Sequence, residues 1–116
     1  MPTAEKSIRQ MVREIQVECR DTEVSPMRAA EMLTTLTALL GNIADEVRQA
    51  NLACDVKYLE LFRTHEAANR AKLFLNVTSE YARKCEAADT KEEAKQLVIT
   101  LRQVLRTAGD EMRLTR

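Results

Sequence analysis

Residues 25–54 read SPMRAAEMLTTLTALLGNIADEVRQANLAC, and the fold class turns on this stretch. Ser25 ahead of Pro26 is a helix start. A serine oxygen accepts the free N–H groups of a first turn, and proline's missing N–H is harmless at the first helical position. Apolar residues then recur every three or four places, at Leu33, Leu36, Leu40, Ile43, Val47, Ala50 and Cys54. That period is helical, whereas a half-buried strand would alternate. The phase carries on through Leu61, Ala68, Ala71 and Leu75, with Lys57 and Thr64 as polar intrusions.

Gly41 admits two readings. It ends a helix in the left-handed conformation, or the helix continues and glycine costs ~1 kcal/mol relative to alanine. The apolar phase runs unbroken from Leu40 to Ile43 to Val47 with no loop residues, which favours continuity. Such a helix has ~50 residues and spans ~75 Å. A compact domain of this length has a radius of gyration near ~13 Å. The helix therefore kinks, the molecule is elongated, or its seam pairs with another copy.

Working outward, Thr3 is expected to cap a first helix over residues 4–20, with Ile8, Met11, Val12, Ile15 and Cys19 on one stripe. Residues 21–24 form a short polar linker. Asn76-Val77-Thr78 breaks the long run, and Thr78 is placed to cap a short helix from Ser79 to about Ala87. Asp89 or Thr90 then caps a last helix, with Thr90 and Glu93 at capping-box spacing. Ala94, Leu97, Val98, Leu101, Val104, Leu105, Ala108 and Met112 form its apolar stripe, and Gly109 weakens its end. This helix is expected to return against the long one as a hairpin. The expected fold is all-α: one helical domain over residues 1–116, an antiparallel bundle or hairpin built on one long helix, elongated or oligomeric.

Composition agrees. Gly 2 and Pro 2 are too few for the tight turns of hairpin-joined sheets, and aromatic residues at 3% leave an aliphatic core. Three cysteines at 19, 54 and 85 are odd in number and widely spaced, so a disulfide framework is not expected, and reduced thiols fit the cytoplasm. No apolar stretch approaches the ~18 residues of a membrane span. Lys+Arg 18 balances Asp+Glu 18, where a dedicated nucleic-acid binder usually carries a basic excess.

Catalytic and metal chemistry finds little support. His65 is the single histidine, and Cys54 lies three helical turns before it, out of reach for a nucleophile–base pair. Metal ligands usually come in close pairs, which these cysteines do not form. The acidic groups Glu14/Glu18, Asp45/Glu46 and Glu86/Asp89 lack the matching second pair that a magnesium site on facing helices needs. Neither a phosphate-binding glycine loop nor a nucleophile elbow occurs. The expectation is no enzyme, no cofactor and no metal.

Two surfaces remain. Leu33, Leu36, Leu40, Ile43 and Val47 form a seam of coiled-coil type, buried either inside a bundle or against a partner. Arg63, Arg70 and Lys72 at the end of the long run, and Arg102, Arg106 and Arg113 on the last helix, are candidate phosphate contacts, as stripes of this kind can track a nucleic-acid backbone. Lys6, Arg9, Arg13 and Arg20 line the first helix in the same way.

Between Leu61 and Arg113, the segments Glu66-Ala-Ala-Asn-Arg-Ala-Lys72, Thr78-Ser-Glu-Tyr81, Leu101-Arg-Gln-Val-Leu-Arg106 and Glu111-Met-Arg113 resemble small helical proteins of bacteriophage early and recombination regions. The resemblance implies a phage origin, a host-cytoplasmic location and an accessory role. It assigns no residue a function. The expected activity is binding of a protein partner through a helical surface, as in inhibition of a host defence or nucleic-acid enzyme, together with self-association. The alternative is a single-strand DNA-binding or recombination accessory protein.

Overall fold

A computed structural model of the chain describes residues 6–65 and 67–114, with side chains as far as Glu111. Those residues form four helices: α1 (Ile8–Asp21), α2 (Pro26–His65), α3 (Ala68–Leu75) and α4 (Ser79–Leu114). There are no strands among them. The radius of gyration is 19.6 Å and the extents are 71 × 39 × 23 Å, so the molecule is elongated rather than compact.

Capping sets most helix starts. Ser7, not Thr3, caps α1: its Oγ accepts from the Gln10 N–H at 3.2 Å while Gln10 Oε1 accepts from the Ser7 N–H at 3.0 Å. Thr3 lies outside the described residues. Ser25 Oγ accepts from the Arg28 N–H at 3.2 Å and starts α2 at Pro26, as the sequence predicts. α2 then runs 40 residues straight through Gly41, at whose position a Cβ would meet nothing within 4 Å. Continuity won because no neighbour demands a turn there and the apolar phase is unbroken.

Two expected boundaries fail. The long helix ends at His65 rather than Leu75, and Ala67 is extended at φ −140°, ψ 127°. α3 then doubles back, so that the Phe74 ring stacks on His65 with centroids 4.3 Å apart. On one straight helix those two positions would be separated by roughly 13 Å along the axis. No glycine or proline marks this break. Its cause is tertiary. The Arg83–Glu46 pair, at 2.7 Å, marks the α2–α4 register, in which the start of α4 lies beside about residue 50 of α2. The rest of α2 overhangs, and α3 covers it, burying Cys54 and Ala71.

The second failed boundary is the break before Thr90. α4 is a single helix of 36 residues, capped by Thr78, whose Oγ1 accepts from the Tyr81 N–H at 3.3 Å. Thr90 caps nothing. It is 5% exposed and donates its hydroxyl to the Glu86 carbonyl one turn earlier, at 2.8 Å. Glu93 does not close a capping box but faces Arg13 of α1 at 3.8 Å. The buried line Ala87, Thr90, Ala94, Leu97, Val98, Leu101 keeps helical phase through the expected break, so breaking there would uncover core.

α1 and α4 run parallel to each other and antiparallel to α2. Glu18 meets Arg28 near one end of α1, and Arg9 reaches the Glu86 carbonyl near the other. Their joint core holds Val12 and Ile15 from α1, Met32, Leu36, Leu39 and Ile43 from α2, and Leu97, Val98 and Leu101 from α4.

Candidate interaction surface

The seam expected to face a partner lies largely inside this bundle. Leu36 and Ile43 are buried, Leu33 and Val47 are half-buried against the core, and only Leu40, at 37% exposure, reaches the surface. α1 and α4 cover the seam from two sides, so it is the core of one chain.

The apolar surface that stays open lies further along. Leu52 is 64% exposed, Val56 49% and Leu59 55%. Their spacing of four and three residues puts them on one face of α2. At 100° per residue that face points about 180° away from Ala50, Cys54 and Leu61, which turn inward. Phe62 flanks it, and Leu73, Phe74 and Val77 are exposed around the α3 end. A shallow groove of about 410 Å³ runs beside the stripe, between α2 and the first turn of α4 at Glu80. The sequence does carry this signal: Leu52, Val56 and Leu59 stand at helical spacing. It was masked by the stronger stripe on the opposite face.

His65 is packed face to face on Phe74. Cys19 sits at the far end of the bundle with its sulfur 3.9 Å from that of Met32, and burial pushes its thiol above the ordinary value. Such a thiol is a poor nucleophile at neutral pH. Among the described residues, no three His, Cys, Asp or Glu side chains are placed to hold a metal ion. The acidic pairs go separate ways. Glu14 takes Lys6 at 2.9 Å, while Glu18 receives Nε and Nη2 of Arg28 at 2.7 and 2.9 Å. Those hydrogen bonds hold the Glu18 carboxyl below the usual carboxylate value. Arg83 does the same for Glu46. Glu86 and Asp89 are exposed on α4. A groove of about 330 Å³ where α1 begins is lined by Ser7, Arg9, Ile43, Glu46, Glu86 and Thr90; its hydroxyls are in use, Ser7 capping α1 and Thr90 donating to the Glu86 carbonyl, and Glu46 holds Arg83.

The basic positions split into two groups. Arg63, Arg70 and Lys72 are exposed at the α2–α3 end, and Arg102 and Arg106 are exposed toward the opposite end of the bundle. The register puts about 50 Å between Arg63 and Arg102, so these five residues do not form one track. The side chain of Arg113 lies outside the described ones. No helix among the described residues is long and apolar enough to cross a membrane.

The chain matches no protein-family model, no curated protein and no solved structure.

Proposed function

We propose that this chain is a non-enzymatic accessory protein that binds a protein partner through the apolar surface at its α2–α3 end. The supporting observation is the exposure of Leu52, Val56, Leu59, Leu73 and Val77 on a chain that has a well-covered core elsewhere. Leu52, Val56 and Leu59 share one helix face, and exposed apolar patches mark interaction sites more often than scattered single residues do. Under the resemblance to phage early-region proteins, the partner is a host defence or nucleic-acid enzyme, inhibited by occlusion. The test is a reconstitution. A protein captured from host extract by the wild-type chain is purified and titrated against wild type and against Leu73→Asp/Val77→Asp. Loss of binding with an intact circular dichroism spectrum supports the proposal. Equal binding by the variant refutes it.

A second function, single-strand nucleic-acid binding, draws on Arg102 and Arg106, which are exposed and make no ion pair among the described residues. Anisotropy of a labelled single strand at low and moderate salt decides it. Phosphate contacts weaken steeply with salt, and no binding at low salt removes this function.

A further inference from the structure

The open face of α2 has a symmetry of its own. Asp45, Leu52, Val56 and Arg63 lie within about 20° of one line along the helix at 100° per residue. Leu52 and Val56 stand two positions to either side of residue 54, and Asp45 and Arg63 stand nine positions to either side. The line therefore reads acid, apolar, apolar, base about a midpoint. All four residues are exposed.

We propose that this face pairs with the same face of a second copy, antiparallel, to form a homodimer. The inference deepens the interaction function above by naming the occupant of one of its faces. Charge complementarity selects both the occupant and its direction. An antiparallel copy centred at residue 54 sets Leu52 against Val56 of the other chain at the middle, and Asp45 against Arg63 at both ends. A parallel copy would oppose Asp45 to Asp45 and Arg63 to Arg63. Within its own chain Asp45 uses Oδ1 to hold Arg48. Its Oδ2 is left to accept from Arg63 of the second copy. Leu59 flanks the line and extends the apolar contact toward Leu52 of the other chain. Because the face points away from the core, the pairing needs no rearrangement of the bundle.

Sedimentation equilibrium of the full chain, from low micromolar to about a hundred micromolar, is the test. The expected result is a reversible dimer. Leu52→Asp/Val56→Asp should be monomeric with unchanged helix content, since both side chains are exposed. Asp45→Arg or Arg63→Asp alone turns both symmetry-related pairs into like-charge pairs, and should raise the dissociation constant at least about tenfold. Asp45→Arg/Arg63→Asp together re-forms both pairs with the signs exchanged, and should return it to within about threefold of wild type. A wild-type chain that stays monomeric overturns the proposal, as does a dimer indifferent to Leu52→Asp/Val56→Asp. A double reversal no better than the single ones overturns the antiparallel pairing. A monomer that still binds its protein partner sinks the homodimer alone, whereas a dimer that captures no partner sinks the accessory function alone.

Discussion

Truncating Leu36 and truncating Leu59 should have very different consequences, although both are leucines on the same helix. Leu36 is 0% exposed in the α1–α2–α4 core, and Leu59 is 55% exposed on the opposite side of α2 from that helix's inward-facing residues. Leu36→Ala removes three buried carbons, which takes away their transfer free energy and leaves a cavity whose walls relax only in part. Substitutions of this kind cost 2–5 kcal/mol, and a fully enclosed site bordered by three helices belongs near ~3 kcal/mol. A domain of this size is stable by roughly 10 kcal/mol, so about a third of the total is lost. The corresponding fall in melting temperature is roughly 10 °C or more. Leu59→Ala removes carbons that are already half in water, and its cost in the isolated chain should stay below about 1 kcal/mol. Urea unfolding followed by circular dichroism, at a concentration below any self-association, measures both. Equal losses for the two variants, or a Leu36→Ala chain as stable as wild type, would refute the assignment of the seam to the core of a single chain.

Gly41→Ala should stabilise the chain by about 0.5–1 kcal/mol, because position 41 is helical and a Cβ there meets nothing; a loss of stability on thermal unfolding would show a break at that point. Thr90→Val keeps the shape and removes a hydroxyl bonded only to a helix carbonyl that has its own partner, so unfolding free energy should change by less than about 0.5 kcal/mol. A helix cap at Thr90 would instead lose about 1 kcal/mol on removal of its hydroxyl. Acid should weaken the fold through Glu18 and Glu46. Hydrogen bonds from Arg28 and Arg83 depress these two carboxyls, so their stabilisation is present above the ordinary glutamate value of 4.5 and is lost as pH falls through the lower folded values. Glu18→Gln/Glu46→Gln should therefore flatten the acid limb of a stability–pH curve and lower stability near neutrality; an unchanged limb counts against the two pairs.

Much of this architecture is legible in the residues themselves. Ser25-Pro26 starts α2 and Thr78 starts α4, because a cap needs only an oxygen within one turn of the free N–H groups. The 3–4 spacing of Leu33, Leu36, Ile43, Leu97, Val98 and Leu101 marks the core, since a helix shows the same face every seven residues or so. The scarcity of glycine and proline excludes a sheet. The length of the apolar run implies elongation, which the 19.6 Å radius of gyration bears out. These are local properties, carried by residues a few positions apart.

The remainder depends on contacts between residues far apart in the chain. The break after His65 has no local signal; it arises because α4 begins beside about residue 50 of α2 and the overhanging apolar face needs α3 to cover it. The continuity of α4 across Thr90 follows from α1 and α2 packing against that turn, a contact that outweighs a local capping pattern. Spacing shows two apolar stripes on this part of α2, Ala50-Cys54-Leu61 continuing the phase of the core and Leu52-Val56-Leu59 opposite it, without telling whether the second is covered as well. Periodicity tells that a face is apolar, but only the position of α3 and α4 decides which face is covered and which is left to meet another molecule.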